Sequence, residues 1–556
     1  MKHVKRALCV LMALALLVCC APPAALAEEA GNEAAQTMPE ESLPPETREE
    51  TEQPEETEPE EPPAAEEQAL PQDLDLTQAN VSGYPVIQTA GATSALYFNE
   101  DNPILKTIAF ENSAENFANA FAPVKEPMTE AAKKLDWNTV VDCLIQFVWN
   151  WAGNLQMDEN GNSVHPGISR NSGSGWTQGE IRNNRAMYFY DWRLDPWDLA
   201  EGFDRYIDDI RQRTGKDKIN VLVTSGTGTM VLAYLARYGT DKLASICFNQ
   251  SMHNGSGLMG QLALRQFSMN ADALGYTHTF DIFFMEDIQA KAEPYLKWLY
   301  ESGVMEIGTK LFTQASKLIT DRIYDEALNP IMFMMPMFWA YIPLEYYEAA
   351  KLSVFRGDPK YDNFIDGIDR YHYQAQAFSD ELLREAAKKI KISLWCGYNL
   401  ATIPLVPNSA VHSDNLVETF RASNGAICAR WGEKLPSYYK QRVADGHNHI
   451  SPDRLVDAST CALPEQTWFS KNQWHRGEYN YEGWYQWFLE TTNLSVFENE
   501  RYPQFMEMIQ HRDSNPTEYV PLTLPVSTWQ SRLLDAAYFF LKCWRFLIKM
   551  AFWWLG

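Results

Sequence analysis

Between residues 219 and 235 the chain reads Ile219-Asn220-Val221-Leu222-Val223-Thr224-Ser225-Gly226-Thr227-Gly228-Thr229-Met230-Val231-Leu232-Ala233-Tyr234-Leu235. Its first part is apolar and rich in β-branched side chains, which is typical of a buried strand. The small residues that follow predict a tight turn. The apolar residues after them favour a helix. The segment therefore predicts a strand, a turn and a helix in direct succession.

A strand, a tight turn and a helix in this order form the local structure of a nucleophile elbow, the turn that carries the serine of Gly-x-Ser-x-Gly hydrolases. We expect that serine three residues after the last strand residue, and counting from Val223 reaches Gly226, which has no hydroxyl. The sequence therefore predicts the scaffold of a serine hydrolase with a degenerate nucleophile position. Ser225, one residue earlier, is the alternative nucleophile, and Thr227, one residue later, is less favoured.

The rest of the chain shows the same alternation of apolar strands and amphipathic helices. Strands are predicted at 84–94, where the strand runs into a loop of small residues, and near 187–190, 244–248, 390–397 and 466–470; helices are predicted at 197–214 and up to residue 238. Strands that alternate with helices predict an α/β fold, with a mostly parallel sheet covered on both faces.

Three features carry a resemblance to a known family: the motif Tyr190-Asp191-Trp192-Arg193, its distance from the elbow, and the helix after the elbow. In these features the sequence resembles the lecithin:cholesterol acyltransferase-like branch of the α/β-hydrolases, which also includes bacterial lipases and esterases. The resemblance is strongest over residues 84–250 and returns in pieces from 390 to 475. It implies an α/β-hydrolase domain over residues 79–524, with a large helical cap insertion at about 251–389.

The resemblance also implies a serine, an acid and a histidine in that chain order. Its serine position falls on Gly226, its acid position is most similar to Asp414, and its histidine position is most similar to His475, with His447 and His449 as rivals. In such a site the imidazole accepts the serine proton, while the carboxylate holds the imidazole in the required tautomer.

Two backbone N–H groups are implied as donors to the oxyanion, one from Thr227 and one from Ala92. The loop around Ala92 reads Ala90-Gly91-Ala92-Thr93, where related proteins usually have Pro-Gly-x-Gly. Asn415 likewise follows the acid position, where glycine is frequent. The elbow and the oxyanion loop both depart from the family pattern, and both departures favour a loss of activity.

Other chemistry-bearing residues have simpler interpretations. His447 and His449 have the spacing of a metal-binding pair, but no third ligand motif accompanies them, so a polar loop is favoured over a metal site. Asp195 and Asp198 are predicted to lie in a turn and at a helix start. The chain has no dinucleotide or phosphate-loop fingerprint, and we therefore expect no organic cofactor.

Within the cap insertion, methionines and aromatic residues are concentrated between positions 332 and 339. Such soft side chains suit a pocket for an acyl chain, but ordinary core packing of the cap is the favoured explanation. The residues concerned are Met332, Phe333, Met334, Met335, Met337, Phe338 and Trp339.

The N-terminal sequence predicts export. Lys2, Lys5 and Arg6 precede an apolar run, and small residues follow it, so residues 1–27 are interpreted as a signal peptide; Cys20 leaves a lipid anchor as a less favoured alternative. Residues 28–78 are rich in Glu and Pro, with 16 Glu and one Arg up to residue 69, and are predicted to be a disordered linker. Together these segments suggest an extracellular or envelope-associated bacterial protein. Most of the formal net charge of −26 lies in the linker, but the rest of the chain is also moderately acidic, which argues against nucleic-acid binding.

The C-terminal segment 529–555 contains no Pro or Gly and places Asp535, Lys542, Arg545 and Lys549 on one narrow face of a helix. We expect an amphipathic helix that lies on a membrane surface, with packing against protein as the alternative. Among the cysteines, Cys428 and Cys461 are the best candidates for a disulfide, while free thiols throughout are equally compatible with the sequence.

Two functions follow from these observations. The favoured one is an exported α/β-hydrolase-fold protein that has lost its nucleophile and binds a lipid, an acyl-type ligand or a partner. The alternative is an active serine esterase, lipase or acyltransferase that uses Ser225 with His475 and Asp414. The residue at the crest of the turn distinguishes them.

Overall fold

The computed structural model describes residues 83–89, 95–100, 102, 104–111, 113–134, 136–169, 185–276, 299–300, 303–475, 482–509 and 518–523. Its strands, in chain order, are β1 (Val86–Thr89), β2 (Leu96–Phe98), β3 (Thr107–Phe110), β4 (Ile168–Ser169), β5 (Arg185–Tyr188), β6 (Ile219–Thr224), β7 (Leu243–Asn249), β8 (Lys391–Tyr398), β9 (Ile427–Cys428), β10 (Val456–Asp457), β11 (Thr467–Lys471), β12 (Phe505–Ile509) and β13 (Glu518–Pro521).

The α-helices are α1 (Ala114–Lys134), α2 (Trp137–Ala152), α3 (Pro196–Thr214), α4 (Thr227–Tyr238), α5 (Gly257–Ala263), α6 (Ala271–Tyr276), α7 (Val304–Ile323), α8 (Asn329–Ile331), α9 (Pro336–Ala340), α10 (Leu344–Phe355), α11 (Asp362–Gln374), α12 (Ser379–Ala387), α13 (Thr419–Ala422) and α14 (Glu482–Glu490). Short helical turns of other types occur at Gly153–Leu155, Tyr324–Leu328, Pro359–Tyr361, Gln376–Phe378, Ala458–Thr460 and Pro464–Gln466.

One large sheet dominates the described part of the chain. Its strand order is β13-β12-β11-β8-β7-β6-β1-β5, and every neighbouring pair is parallel except β12 with β13. Two small antiparallel sheets lie outside it, one formed by β9 and β10 and the other by β2, β3 and β4. The predicted mixed α/β architecture with a mostly parallel sheet is confirmed.

Helices cover both faces of this sheet, as the alternation of side chains along β6 shows. Val221 and Val223 belong to the apolar core that contains α3 and α4, whereas Leu222 packs in a second cluster with Trp484 of α14. Successive side chains of a strand point to opposite faces, so a central strand covered on both sides is apolar along its whole length. This explains why residues 221–223 form a continuous apolar run.

The carboxyl ends of the central strands meet at one edge of the sheet. Thr224, the last residue of β6, pairs with Asn249 at the end of β7, and Tyr398 at the end of β8 pairs with Lys471 at the end of β11. Loops that leave these strands are therefore brought together. Ligand sites in open α/β sheets usually lie at this edge.

The predicted strands and helices agree with the structure to within a few residues, including the strand within 84–94, the helix at 197–214 and the strands near 390–397 and 466–470. Between β7 and β8 the described residues form helices α5 to α12, where the cap insertion was expected. The proposed signal peptide, the acidic linker and the segment 529–555 lie outside the described residues. Within those residues, no helix combines the length and apolar character needed to span a membrane.

Candidate active site

Ser225 occupies the sharp turn between β6 and α4. Its φ is 58°, in the left-handed region that a residue with a side chain rarely adopts. A non-glycine residue in this conformation costs about 1–3 kcal/mol and persists only where its surroundings hold it. Here Ser225 donates its N–H to the carbonyl of Asn249 at 3.2 Å, and its own carbonyl accepts the N–H groups of Gly228 and Met252 at 3.1 and 3.0 Å.

The structure corrects the residue count that placed Gly226 at the crest of this turn. β6 continues through Thr224, and the left-handed residue comes directly after it, so Ser225 stands where the sequence analysis placed a glycine. Gly226 itself has helical φ and ψ of −59° and −23° and precedes the first residue of α4. The count failed because the left-handed residue follows the last residue of β6 directly, and not three residues later as the count assumed.

Thr227 lies beneath the turn and is fully buried. Its hydroxyl donates to the carbonyl of Thr224 at 2.7 Å, accepts the N–H of the same residue at 3.3 Å and lies 2.7 Å from the hydroxyl of Thr89. These bonds tie the end of β6 to the start of α4 and to β1. The side chain of Thr227 therefore stabilises the turn from below.

A chain of hydrogen bonds leads from Ser225 to a buried carboxylate. The Ser225 Oγ lies 2.7 Å from Nε2 of His475, and Nδ1 of the same ring lies 2.8 Å from Oδ2 of Asp414. Ser225 is half-buried, the His475 side chain is 9% exposed and that of Asp414 is 1% exposed. The structure thus joins three residues that are separated by 250 and 61 positions in the sequence.

Local backbone contacts hold Asp414 in place. Its Oδ1 accepts the N–H groups of Leu416 and Val417 at 3.0 and 2.7 Å, which leaves Oδ2 for His475. Asn415, between them, has a φ of 84°. Asparagine tolerates the left-handed region better than most residues, which explains how it replaces the glycine expected after the acid.

Gly397, near the end of β8, makes room for this loop. A Cβ at this position would lie 2.6 Å from the Cβ of Asp414 and 2.8 Å from the carbonyl oxygen of Gln473. The loop that carries Asp414 and the loop that carries His475 therefore both pack against a glycine. Any side chain there forces the acid and the imidazole to shift.

The loop that carries His475 is anchored on both sides. The indole N–H of Trp395 donates to Oε1 of Gln473 at 2.6 Å, and the amide of Gln250 donates to the carbonyl of Trp474. The N–H of His475 itself donates to the carbonyl of Asp414 at 2.7 Å. The imidazole is therefore held by its own backbone as well as by its ring nitrogens.

The predicted oxyanion donors need a further correction. With Ser225 at the crest, the next residue is Gly226 and not Thr227, and within the described chain nothing accepts the Gly226 N–H. An unpaired N–H at the start of a helix is a natural donor to an anion. Ala92, the other predicted donor, lies outside the described residues.

The alternative histidines make other contacts. His449 bonds through Nδ1 to Gln504 at 2.8 Å and through Nε2 to Asp445 at 2.7 Å, and the His447 ring stacks on Phe497 with centroids 4.3 Å apart. In the described chain, no three His, Cys, Asp or Glu side chains are grouped so as to hold a metal ion.

The two aspartates near 196 have structural roles, as predicted. Asp195 caps α3 by accepting the N–H of Trp197 at 2.8 Å and also pairs with Arg370, and Asp198 lies in the first turn of the helix. The proposed disulfide, in contrast, is not formed. Cys428 and Cys461 are both free thiols, and burial raises the pKa of Cys428 to about 12.

One glycine of the turn was not singled out by sequence reasoning. A Cβ at Gly228 would lie 1.8 Å from the Ser251 Oγ and 3.0 Å from its Cβ, so α4 approaches the loop after β7 as closely as a glycine allows. Gly-x-Ser-x-Gly turns use a glycine for such close packing. Here that glycine is displaced by one position and Val223 occupies the position of the first glycine, so a simple pattern search misses the turn.

A scan against models of protein families finds none that matches this sequence, and a search of the curated proteins finds no significant relative.

Proposed function

We propose that this protein is a serine hydrolase or acyltransferase of the α/β-hydrolase fold, with an ester or another activated acyl group as its substrate. The observation that carries the proposal is the hydrogen-bonded series Ser225–His475–Asp414, in which the serine has the left-handed backbone of a nucleophile elbow. The parallel sheet, with these residues at the carboxyl ends of β6, β8 and β11, supports the same assignment.

The distances suit the chemistry of acyl transfer. Ser225 Oγ attacks the carbonyl carbon while Nε2 of His475 takes its proton. Oδ2 of Asp414 accepts the Nδ1–H and stabilises the imidazolium that forms. The protonated imidazole then donates to the leaving alcohol, and a water or a second alcohol releases the acyl group from Ser225 by the reverse sequence.

The surroundings favour an apolar acyl group. The Met252 Sδ lies 3.9 Å from the Ser225 Oγ. The methionine-rich run of 332–339 packs in the apolar core, as the favoured explanation had it, and contacts α4 through the Met337 Sδ, 3.2 Å from the Thr229 hydroxyl. Flexible, polarizable thioethers adapt to hydrocarbon chains of different shapes. We therefore propose a lipid-like or other acyl ester as the substrate, with no cofactor.

The cellular location remains a prediction from the sequence. Export by residues 1–27 and attachment of residues 529–555 to a membrane surface place the enzyme where lipid esters occur. Flotation of the full chain with anionic liposomes, compared with a chain that ends at residue 528, tests the attachment. Equal flotation of the two removes the membrane from the proposal.

Hydrolysis of p-nitrophenyl butyrate and p-nitrophenyl laurate tests the function itself. The wild-type protein is expected to hydrolyse both esters, and Ser225→Ala to reduce kcat by about 10⁴-fold or more. Ser251→Ala is the matched control, because Ser251 also bonds to a histidine but is buried. If Ser225→Ala and Ser251→Ala hydrolyse at the wild-type rate, the proposed function is wrong.

A further inference from the structure

The phenol of Tyr341 has no hydrogen-bond partner, although its residue is only 7% exposed. A buried hydroxyl without a partner is costly, and such groups in folded proteins usually mark the place of a ligand or a water molecule. The position of this hydroxyl is therefore informative. It follows directly after α9, in the segment that packs against the proposed site.

Gly226 locates the phenol relative to Ser225. A Cβ on Gly226 would lie 2.3 Å from the Tyr341 Oη and 2.7 Å from its Cζ, so the hydroxyl occupies the space that a side chain at 226 would fill. The backbone of Gly226 is helical and needs no glycine for its own sake. Position 226 requires a glycine because a Cβ there would collide with the phenol of Tyr341.

The phenol lies against a residue that carries a second donor. The Gly226 N–H is unpaired in the described chain, and the Tyr341 hydroxyl, also unpaired, lies against the same residue. Oxyanion sites consist of two or more fixed donors that converge beside the attacking atom. Burial also raises the pKa of Tyr341, so the phenol keeps its proton and remains a donor at neutral pH.

The backbone around Tyr341 is held firmly. Its N–H donates to Phe338 at 3.2 Å and its carbonyl accepts the N–H of Ser256 at 2.9 Å, while Met337 donates its N–H to the carbonyl of Arg193 at 3.2 Å. Arg193 is fully buried and pairs with Asp191 through two bonds of 3.0 and 2.7 Å. The pair formed by Arg193 and Asp191 thus supports the segment that ends at Tyr341.

Resting on the proposed hydrolase function, we propose that Tyr341 is a catalytic residue whose phenolic O–H donates, together with the Gly226 N–H, to the oxyanion formed when Ser225 attacks an acyl ester. The negative charge moves to the carbonyl oxygen as the Ser225 Oγ–carbon bond forms, and returns to the carbon–oxygen double bond as the leaving alcohol departs. Tyr341 stabilises this oxygen without transferring its proton.

The test is Tyr341→Phe in the full chain, with Tyr190→Phe as the matched control. Tyr190 is also a buried phenol without a partner, but its hydroxyl is not the one that meets Gly226. We expect Tyr341→Phe to lower kcat for p-nitrophenyl butyrate by about 10²-fold, with KM within threefold of wild type. Its resistance to urea is expected to be undiminished, because the deleted hydroxyl makes no bond. Tyr190→Phe is expected to keep kcat within threefold of wild type.

The outcomes separate this inference from the proposed function. If the wild type is active, Ser225→Ala is inactive and Tyr341→Phe keeps its kcat within threefold, the role of Tyr341 is overturned and the hydrolase stands. If only KM changes in Tyr341→Phe, or if Tyr190→Phe shows the larger loss of kcat, the role of Tyr341 is overturned as well. A wild-type protein without any esterase activity overturns both.

Discussion

Two serine–histidine pairs lie at the same edge of the sheet. They share a short hydroxyl–imidazole hydrogen bond and differ in burial, in the backbone conformation of the serine and in the group that bonds to the other imidazole nitrogen. Ser225 bonds to His475 at 2.7 Å, and Ser251 bonds to Nδ1 of His253 at 2.8 Å. Ser225 is half-buried and has a left-handed backbone, whereas Ser251 and His253 are 2% and 0% exposed. A short hydroxyl–imidazole bond is therefore not a sufficient sign of a reactive serine.

The partner behind each imidazole differs as well. His475 faces the carboxylate of Asp414, while Nε2 of His253 faces the amide oxygen of Asn424, whose nitrogen donates to Asp380 at 2.8 Å. Burial lowers the pKa of His253 to about 4, so this ring resists taking up a proton at neutral pH. The inner pair, Ser251 with His253, connects the loop after β7 to Asn424, and the outer pair, Ser225 with His475, has the geometry that the proposed proton transfer needs.

The largest expected contrast comes from removing each imidazole. His475→Ala is expected to lower kcat for p-nitrophenyl butyrate by about 10⁴-fold or more, because Ser225 loses its base, and to keep the wild-type free energy of unfolding within about 1 kcal/mol. His253→Ala is expected to lower that free energy by roughly 2–3 kcal/mol, since it leaves buried polar groups unpaired, and to affect kcat far less. Steady-state kinetics and urea unfolding of both variants measure the contrast. Equal losses of kcat would remove the distinction between the pairs.

The second largest contrast is expected from changing the side chain that bonds to the far nitrogen of each imidazole, Asp414 for His475 and Asn424 for His253. Asp414→Asn is expected to lower kcat by about 10³–10⁴-fold, because an amide can hold the ring in the wrong tautomer and cannot balance its charge. Asn424→Asp is expected to destabilise the fold by roughly 3 kcal/mol, since it buries a carboxylate at position 424 next to the exposed carboxylate of Asp380, and to create no activity at Ser251. Wild-type kcat in Asp414→Asn contradicts the role given to the acid.

A smaller effect is expected from the glycine beside each pair. Gly397→Ala places a Cβ 2.6 Å from that of Asp414, and we expect the displaced acid to lower kcat by about 10²-fold. Gly228→Ala places a Cβ against Ser251 and is expected to act mainly on stability, by roughly 1–3 kcal/mol. Kinetics and unfolding of the two variants distinguish these effects, and a Gly397→Ala enzyme with unchanged kcat shows that the loops adjust without cost.

The smallest expected effect is the dependence of stability on pH. Because the folded-state pKa of His253 is about 4 and its ordinary value is 6.5, the unfolded chain takes up a proton in this range before the folded one does. The free energy of unfolding therefore falls as the pH falls, by about 2 kcal/mol from this residue at pH 5. Urea unfolding at pH 7 and pH 5 should show a smaller decrease for His253→Gln than for the wild type. An equal decrease contradicts the neutral state of the buried ring.

The fold was largely predictable because its signals are local. The apolar run of 221–223 reflects burial on two faces of a strand, and the helical spacing of 197–214 reflects burial on one face of a helix. Such patterns can be read without tertiary information. The crest of the turn was not predictable by counting, because the left-handed residue follows β6 directly and the sequence does not show how many residues separate the two.

The site was predictable only in part, for the same reason. Asp414 and His475 were selected by resemblance, and the structure brings them within 2.8 Å of each other. The unpaired Gly226 N–H and the phenol of Tyr341 have no sequence signature, since both depend on contacts between distant segments. Gly226 was noticed in the sequence as a missing hydroxyl, and the structure accounts for it as room for Tyr341.

Covalent labelling of the wild-type protein with a fluorophosphonate, followed by mass spectrometry of the peptides that contain residues 219–237, with Ser225, and residues 243–265, with Ser251, tests the central claim most directly. We predict a single adduct on Ser225, formed with the wild type and lost in both Ser225→Ala and His475→Ala, with Ser251 unmodified. A wild-type protein that forms no adduct, or carries one on Ser251, contradicts the account.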